Sequence, residues 1–281
     1  MRILITGANG QLGRELQLAL KDHQLMPADM PAFDVTRPDS ERWIVEARPD
    51  AVIHAAAYTD VDEAEREPDR AMAVNAEGTE RVARAVASVG VRLLYLSTDY
   101  VFDGNKRTPY LESDEAHPLN AYGRSKLEGE RRMLALCQNA LVIRTSWLYG
   151  VQGKNFVKTI VQAASTQSEL RVVNDQRGCP TYAGDLALAI RAILSTDLKG
   201  TVHATGLGDC TWYEFASEIV SLIGSPARVQ PISTAESRRA ARRPAYSVLA
   251  NTVLAAKGIR LPHWRDALAR FIRDQNVVAH A

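Results

Sequence analysis

The chain has 281 residues, 46% hydrophobic and 24% charged, which suits one large globular domain or two modest ones. Its 34 Lys+Arg nearly cancel its 33 Asp+Glu, so no strong field marks it for nucleic acid or an anionic membrane surface. Cys137, Cys179 and Cys210 have neither metal-ligand spacing nor the look of a disulfide framework, and no apolar run approaches the ~18 residues of a membrane span.

The opening MRILITGANG reads as a strand and a turn rather than a secretory leader, and a cytoplasmic protein is expected. Ile3-Leu4-Ile5 ends at a glycine turn, after which Leu12, Leu16 and Leu20 recur at helical spacing. Ala51-Val52-Ile53, Leu93–Leu96 and Leu141-Val142-Ile143 are further apolar runs, with a long helical stretch from about Pro68 to Val89. Continuous apolar runs alternating with helices predict parallel strands buried on both faces, hence an α/β doubly wound sheet of Rossmann type. Beyond Arg144 the pattern loosens across Gly150–Asn155 and Asn174–Gly184, and helices return at Asp185–Leu194, Trp212–Ile223 and Trp264–Arg273. The expected organisation is a dinucleotide-binding unit over residues 1–145. Residues 146–281 form a smaller, α-rich, mainly substrate-binding region, with some segments returning to the first unit. The final Val277–Ala281 is expected to fray.

Gly7-Ala8-Asn9-Gly10-Gln11-Leu12-Gly13 follows a strand and opens a helix. The first glycine makes the tight turn, the second lets backbone approach a pyrophosphate, and the third lets helix pack on strand. Phosphate oxygens would then meet unpaired N–H groups at the positive helix end. A carboxylate about 20 residues on, at the end of the second strand, would bind the adenosine ribose and repel a 2′-phosphate. Asp29 takes that position and Asp34 competes for it.

Tyr122-Gly-Arg-Ser-Lys126 places a phenol and an ammonium one helical turn apart, behind Pro118 and a capping Asn120. The cation eases proton donation from the phenol to a developing alkoxide, and it is also suited to holding the nicotinamide ribose. Ser97-Thr98-Asp99-Tyr100-Val101-Phe102 follows the Leu93–Leu96 strand, so Thr98 emerges where open sheets bind ligands. There it is placed to hydrogen-bond a substrate carbonyl and the Tyr122 hydroxyl. The plainer alternatives are capping hydroxyls and an exposed helix face.

The glycine spacing G-x-x-G-x-x-G resembles extended short-chain dehydrogenases. The chain as a whole resembles the dTDP-4-dehydrorhamnose reductase family through stretches that cover almost all of it. Beyond Gly7–Gly13 and Ser97–Phe102 these are His54-Ala55-Ala56-Ala57-Tyr58-Thr59, Val74-Asn75-Ala76, Pro118–Lys126 and Arg144-Thr145-Ser146-Trp147-Leu148-Tyr149. Asn174-Asp175-Gln176, Gly178, Pro180, Thr181 and Arg243-Pro244 complete the match.

The resemblance implies reduction of the C4 ketone of a dTDP-4-dehydro-6-deoxy-L-mannose by NADH or NADPH, with Thr98, Tyr122 and Lys126 catalytic. It implies a cofactor set of Gly7, Asn9, Gly10, Gln11, Leu12, Gly13, Asp29, Asp34, Val35, Ala56, Ala57, Tyr58, Thr59, Asn75, Tyr122 and Lys126. Asn75 would support a proton relay. Val61, Thr98, Asp99, Tyr100, Tyr122 and Trp147 would face the sugar nucleotide, although Trp147 also suits the seam beside the smaller region. Some members bind magnesium at a dimer interface through an acid matching Glu15. The resemblance thus leaves Mg2+ at Glu15 and a homodimer open, with no metal assigned, beside the plain reading of Glu15 as a first-turn glutamate. Tyr246 departs from the family, which usually has Asn two residues after the Arg-Pro proline.

Three other readings stand beside this one: a different sugar-nucleotide 4-ketoreductase, an epimerase or dehydratase, and a non-catalytic subunit like the regulator of methionine adenosyltransferase. Dehydratases resemble Thr-Asp-Glu at the strand end, where this chain has Thr98-Asp99-Tyr100. The intact Thr98, Tyr122 and Lys126 argue against a non-catalytic role.

Overall fold

The structure, a computed structural model, describes residues 1–275; the expected fraying of Val277–Ala281 lies outside the described residues. Six strands form one parallel sheet: β1 (Arg2–Thr6), β2 (Gln24–Ala28), β3 (Ala51–His54), β4 (Arg92–Thr98), β5 (Ala140–Thr145) and β6 (Gly200–His203). Their order is β6-β5-β4-β3-β1-β2. The chain winds from β1 out to β2, returns to β3, and proceeds to the far edge. That reversal opens a crevice at the carboxyl ends of β1 and β3.

The four apolar runs lie within β1, β3, β4 and β5, and their side chains divide between two cores. Ile3, Ile5, Ile53, Leu94 and Leu141 pack on α1 (Gln11–Ala19) through Leu12 and Leu16. Leu4, Val52, Leu93, Tyr95 and Val142 pack the other way, on α2 (Asp39–Ala47) and α3 (Thr79–Val89) through Ile44, Val82 and Val86. Burial on both faces is why these strands read as unbroken apolar runs. β2 carries Pro27 and an exposed Gln24, which an edge strand tolerates. β6 comes from the second half of the chain and pairs with β5 in register, Val202 beside Ile143.

The helical stretch from Pro68 to Val89 is not one regular helix. An α-helical turn, Pro68–Met72, passes into a π-helical segment, Ala73–Gly78, before α3 begins. Two hydroxyls converge on the Asn75 carbonyl there: Thr79 Oγ1 donates at 2.7 Å and the Tyr95 hydroxyl at 3.2 Å. Apolar spacing cannot reveal a one-residue change of helical register, and such bulges gather at functional sites.

The helix carrying Tyr122 and Lys126 is α4 (Ala121–Leu136). Beyond β5 come α5 (Phe156–Ala164), α6 (Ala183–Leu194), α7 (Trp212–Leu222) and α8 (Trp264–Asp274). The last three match the predicted helices to within two residues. α6 packs beside α1 on the sheet through Leu186 and Ile190. α5, α7 and α8 enclose a separate, aromatic core around Tyr149, Phe215, Trp264 and Phe271. This region holds more strand than its composition predicts. Glu169–Val173 pairs with Arg228–Ile232, Arg177–Gly178 with Cys210–Thr211, and Leu148–Tyr149 with Thr181–Tyr182. The four two-residue strands are too short to show a period, and the five-residue pair lacks the unbroken apolar run of the main sheet.

Candidate active site

A cleft of about 1160 Å³ runs along the carboxyl ends of the strands. It exceeds the roughly 300–1,000 Å³ of a pocket for one small ligand, leaving room for two. The glycine loop forms its floor. Gly7 has φ 68, and a Cβ there would lie 2.6 Å from the Ala56 nitrogen; at Gly13 it would lie 2.2 Å from the Gly7 carbonyl oxygen. α1 therefore sits directly on the loop. Its N-cap, Gly10, supplies no side-chain hydrogen bond, so the first-turn N–H groups meet no capping side chain, as an anion site requires.

Both candidate ribose acids line the cleft. The Asp29 carboxylate accepts from the Asn9 nitrogen at 2.7 Å and the Met30 nitrogen at 2.8 Å, which ties the end of β2 to the glycine loop. Asp34 instead closes its own turn, accepting from the Thr36 nitrogen at 2.9 Å and hydroxyl at 2.7 Å. Val35, Ala56, Ala57, Tyr58 and Thr59 complete this half of the cleft.

Thr98, Asp99, Tyr122 and Lys126 line the other half. Asn120 caps α4 by accepting from the Gly123 nitrogen at 2.7 Å, a contact worth ~1 kcal/mol that fixes where the helix starts. One turn into α4, Lys126 is buried, its ammonium donating to the Leu96 carbonyl at 2.6 Å and lying 4.1 Å from the centre of the Tyr95 ring. Burial lowers its pKa to about 7, against the opposing pull of Glu130. Glu130 is held by Arg144 (Nη2 at 2.6 Å) and by the Ser97 hydroxyl. Burial pushes the Tyr122 phenol up to about 12, while the adjacent Thr98 hydroxyl pulls it down and Asp99 adds to the rise. Asp99 is 2% exposed, and burial pushes its carboxyl up to about 7 even though it accepts from Ser247 Oγ at 2.5 Å and Thr98 Oγ1 at 3.1 Å.

Several expected residues stand behind the cleft. Asn75 is fully buried and lines no part of it. Its amide accepts from the Tyr58 nitrogen at 2.8 Å and donates to the Tyr58 carbonyl at 3.0 Å and the Ser125 hydroxyl at 2.9 Å, stapling the π segment to the loop after β3 and to α4. Its carbonyl already accepts from two hydroxyls. Tyr100 packs edge-on against Tyr122, ring centres 5.9 Å apart, and is not a lining residue. Val61 precedes the short helix Glu63–Arg66 and does not line the cleft either. Tyr246 packs beside Val101, Phe102 and Tyr110, away from it. Glu15 is the fifth residue of α1, just beyond its first turn and one turn on from Gln11. Burial raises its pKa while the Val151 N–H lowers it. No group of three or more metal-ligating side chains occurs among the described residues.

Trp147 joins both roles it was expected to choose between. It lines the cleft and stacks on Trp212 of α7 with ring centres 3.5 Å apart and planes at 6°. Its backbone has φ 46, rare for so bulky a residue, and this turns the indole onto the second region. Thr145 and Ser146, which lie in the Arg144–Tyr149 stretch of the resemblance, also line the cleft, as do Arg70 and Lys154, which no motif marks. For Arg70 and Lys154, nothing in apolar spacing says which way a loop or a short helix presents its charges.

Fold and site together define an oxidoreductase of the short-chain dehydrogenase/reductase class. A family model described as the RmlD substrate binding domain matches residues 1–277, and the chain belongs to that family. It is 42% identical over 286 residues to the dTDP-4-dehydrorhamnose reductase of Sinorhizobium fredii, covering 97% of each chain. It is also 42% identical to a probable dTDP-4,6-dihydroxy-2-methyloxan-3-one 4-ketoreductase of Streptomyces antibioticus, over 100% of this chain and 97% of that one. The crystal structure of dTDP-4-dehydrorhamnose reductase from Bacillus anthracis in complex with NADP superposes with a TM-score of 0.95 at 42% identity, covering 97% of this chain and 99% of that one.

Proposed function

We propose that this protein is a dTDP-4-dehydrorhamnose reductase that uses a nicotinamide dinucleotide to reduce the C4 ketone of its sugar nucleotide, giving dTDP-L-rhamnose. The observation that carries the reading is the convergence of Thr98, Tyr122 and Lys126 on the same cleft as the uncapped glycine loop. The cleft fits a dinucleotide: Asp29 lies at the β2 end, the loop at β1, and Thr98 at β4, in that order across the sheet.

A nicotinamide held in the cleft would supply the hydride. The chain's own groups do the rest. Tyr122, with its pKa raised to about 12, keeps its proton at neutral pH and holds it for the ketone oxygen. The Thr98 hydroxyl steadies the charge that gathers on that oxygen. Lys126 is positioned to grip the nicotinamide ribose and to favour the anion that Tyr122 leaves behind. Asp99 and the Trp147 indole border the sugar, the indole offering a flat apolar face and one N–H donor. Residues 1–145 serve the dinucleotide and residues 146–281 mainly the sugar nucleotide, with β6 and α6 returned to the first unit. The buried free thiols of Cys137, Cys179 and Cys210 suit a cytoplasmic enzyme.

The Streptomyces relative favours a second reading, in which the same machinery reduces another dTDP-4-keto sugar. Following NADH and NADPH oxidation with a panel of dTDP-4-keto sugars separates the two. The first reading requires the highest kcat/KM with dTDP-4-dehydrorhamnose. No turnover with any member of the panel refutes both.

A further inference from the structure

Three cations line the cleft among the described residues: Arg70, Lys126 and Lys154. Two are already engaged. Lys126 donates to the Leu96 carbonyl, and Arg70 pairs with Glu67 at 2.9 Å. Lys154 is exposed and has no carboxylate or carbonyl partner among the described residues.

Its place in the chain is fixed on both sides. Lys154 belongs to a strap between Tyr149 and α5. At one neighbour, Gly153, a Cβ would lie 4.0 Å from the Gln11 Cβ. At the other, the buried Asn155 donates to the Gln11 side-chain oxygen at 2.9 Å and to the Gly150 carbonyl at 2.8 Å, while its own oxygen caps α5 by accepting from the Lys158 nitrogen at 3.1 Å. Further along α1, the Glu15 carboxyl feels the Val151 N–H. Gln11 is the first residue of α1, so the strap is pinned to the very helix end that the glycine loop presents to an anion.

A helix N-terminus offers the equivalent of about half a positive charge. A diphosphate carries more than that end can balance. We propose that Lys154 is a phosphate ligand, closing the diphosphate of the dinucleotide against the start of α1 from a strap of the second region. A lysine suits this role because its flexible stem carries a point charge with rotatable donors. The sugar nucleotide also carries a diphosphate, but the contacts on both sides of Lys154 run to Gln11 in the glycine loop, which assigns the lysine to the cofactor.

The inference rests on reading the cleft as a dinucleotide site. Its test is binding, not turnover. Affinities of the wild type, Lys154→Ala and Lys154→Arg are measured for ADP, adenosine, NADPH and dTDP at low and high salt. Lys154→Ala should weaken ADP and NADPH about tenfold. It should leave adenosine and dTDP unchanged and flatten the salt dependence of ADP binding, because one fewer ion pair is screened. Lys154→Arg should restore most of the loss. Unchanged ADP affinity in Lys154→Ala overturns the proposal, as does a loss confined to dTDP, which would move the lysine to the sugar nucleotide. An equal loss for adenosine and ADP also overturns it, since that would report a distorted strap. A wild type that binds ADP but reduces no keto sugar defeats the functional reading and leaves this one standing.

Discussion

The ammonium of Lys126 donates to the main-chain carbonyl of Leu96 at 2.6 Å, two residues before Thr98 in β4. The contact anchors α4 to the strand that carries Thr98, so Thr98 and the Tyr122–Lys126 pair share one junction. It also leaves a buried cation with one hydrogen-bond acceptor and the Tyr95 ring face, which explains why its pKa falls to about 7.

That shift predicts the pH dependence. A lysine is charged below its pKa, so Lys126 loses its charge as pH rises through about 7 rather than through its ordinary range. kcat/KM for the cofactor, which reports the free enzyme, should be level below about 7 and decline above it. Asp99 gains charge over the same interval, in the same unfavourable direction. The profile of Asp99→Asn separates them: the decline should persist there. A flat profile in that variant would assign the titration to Asp99.

Asp29 should set cofactor choice. Its carboxylate is ordered by the Asn9 and Met30 nitrogens, where it would accept from ribose hydroxyls and repel a 2′-phosphate. Asp29→Ala should shift the NADPH-to-NADH ratio of kcat/KM toward NADPH by about tenfold, the ~1.4 kcal/mol of one charge-assisted contact. A ratio that moves in Asp34→Ala instead would transfer the role.

Trp147→Ala should act on both kinetics and stability, because the indole lines the cleft and stacks on Trp212. The KM for the sugar nucleotide should rise. The thermal midpoint should also fall, though by less than the ~3–5 kcal/mol of a fully buried Trp→Ala, since the indole is only partly buried. Normal kinetics in the surviving folded fraction would make Trp147 a packing residue only.

The fold was legible where burial is two-sided. Ile3–Ile5, Ala51–Ile53, Leu93–Leu96 and Leu141–Ile143 stand out because every residue in them is buried. β2 was placed only by its distance from the glycine loop, because an edge strand with Pro27 has no such run. The site was legible where chemistry follows fixed spacing, as in Gly7–Gly13 and Tyr122–Lys126. It was not legible where a backbone irregularity decides. Asn75 sits in a π segment that turns its amide inward to Tyr58 and Ser125, and Tyr100 packs edge-on against Tyr122 without lining the cleft. Lys154 depends on a strap pinned to Gln11 more than a hundred residues earlier, a relation that no local pattern carries.

The role proposed for Tyr122 is delivery of the proton to the ketone. Its most direct test pairs Tyr122→Phe with the wild type in a single-turnover reduction of dTDP-4-dehydrorhamnose, with NADPH affinity measured on the same preparations. The rate should fall ~10²–10⁴-fold with cofactor affinity retained. Wild-type turnover in Tyr122→Phe would contradict it.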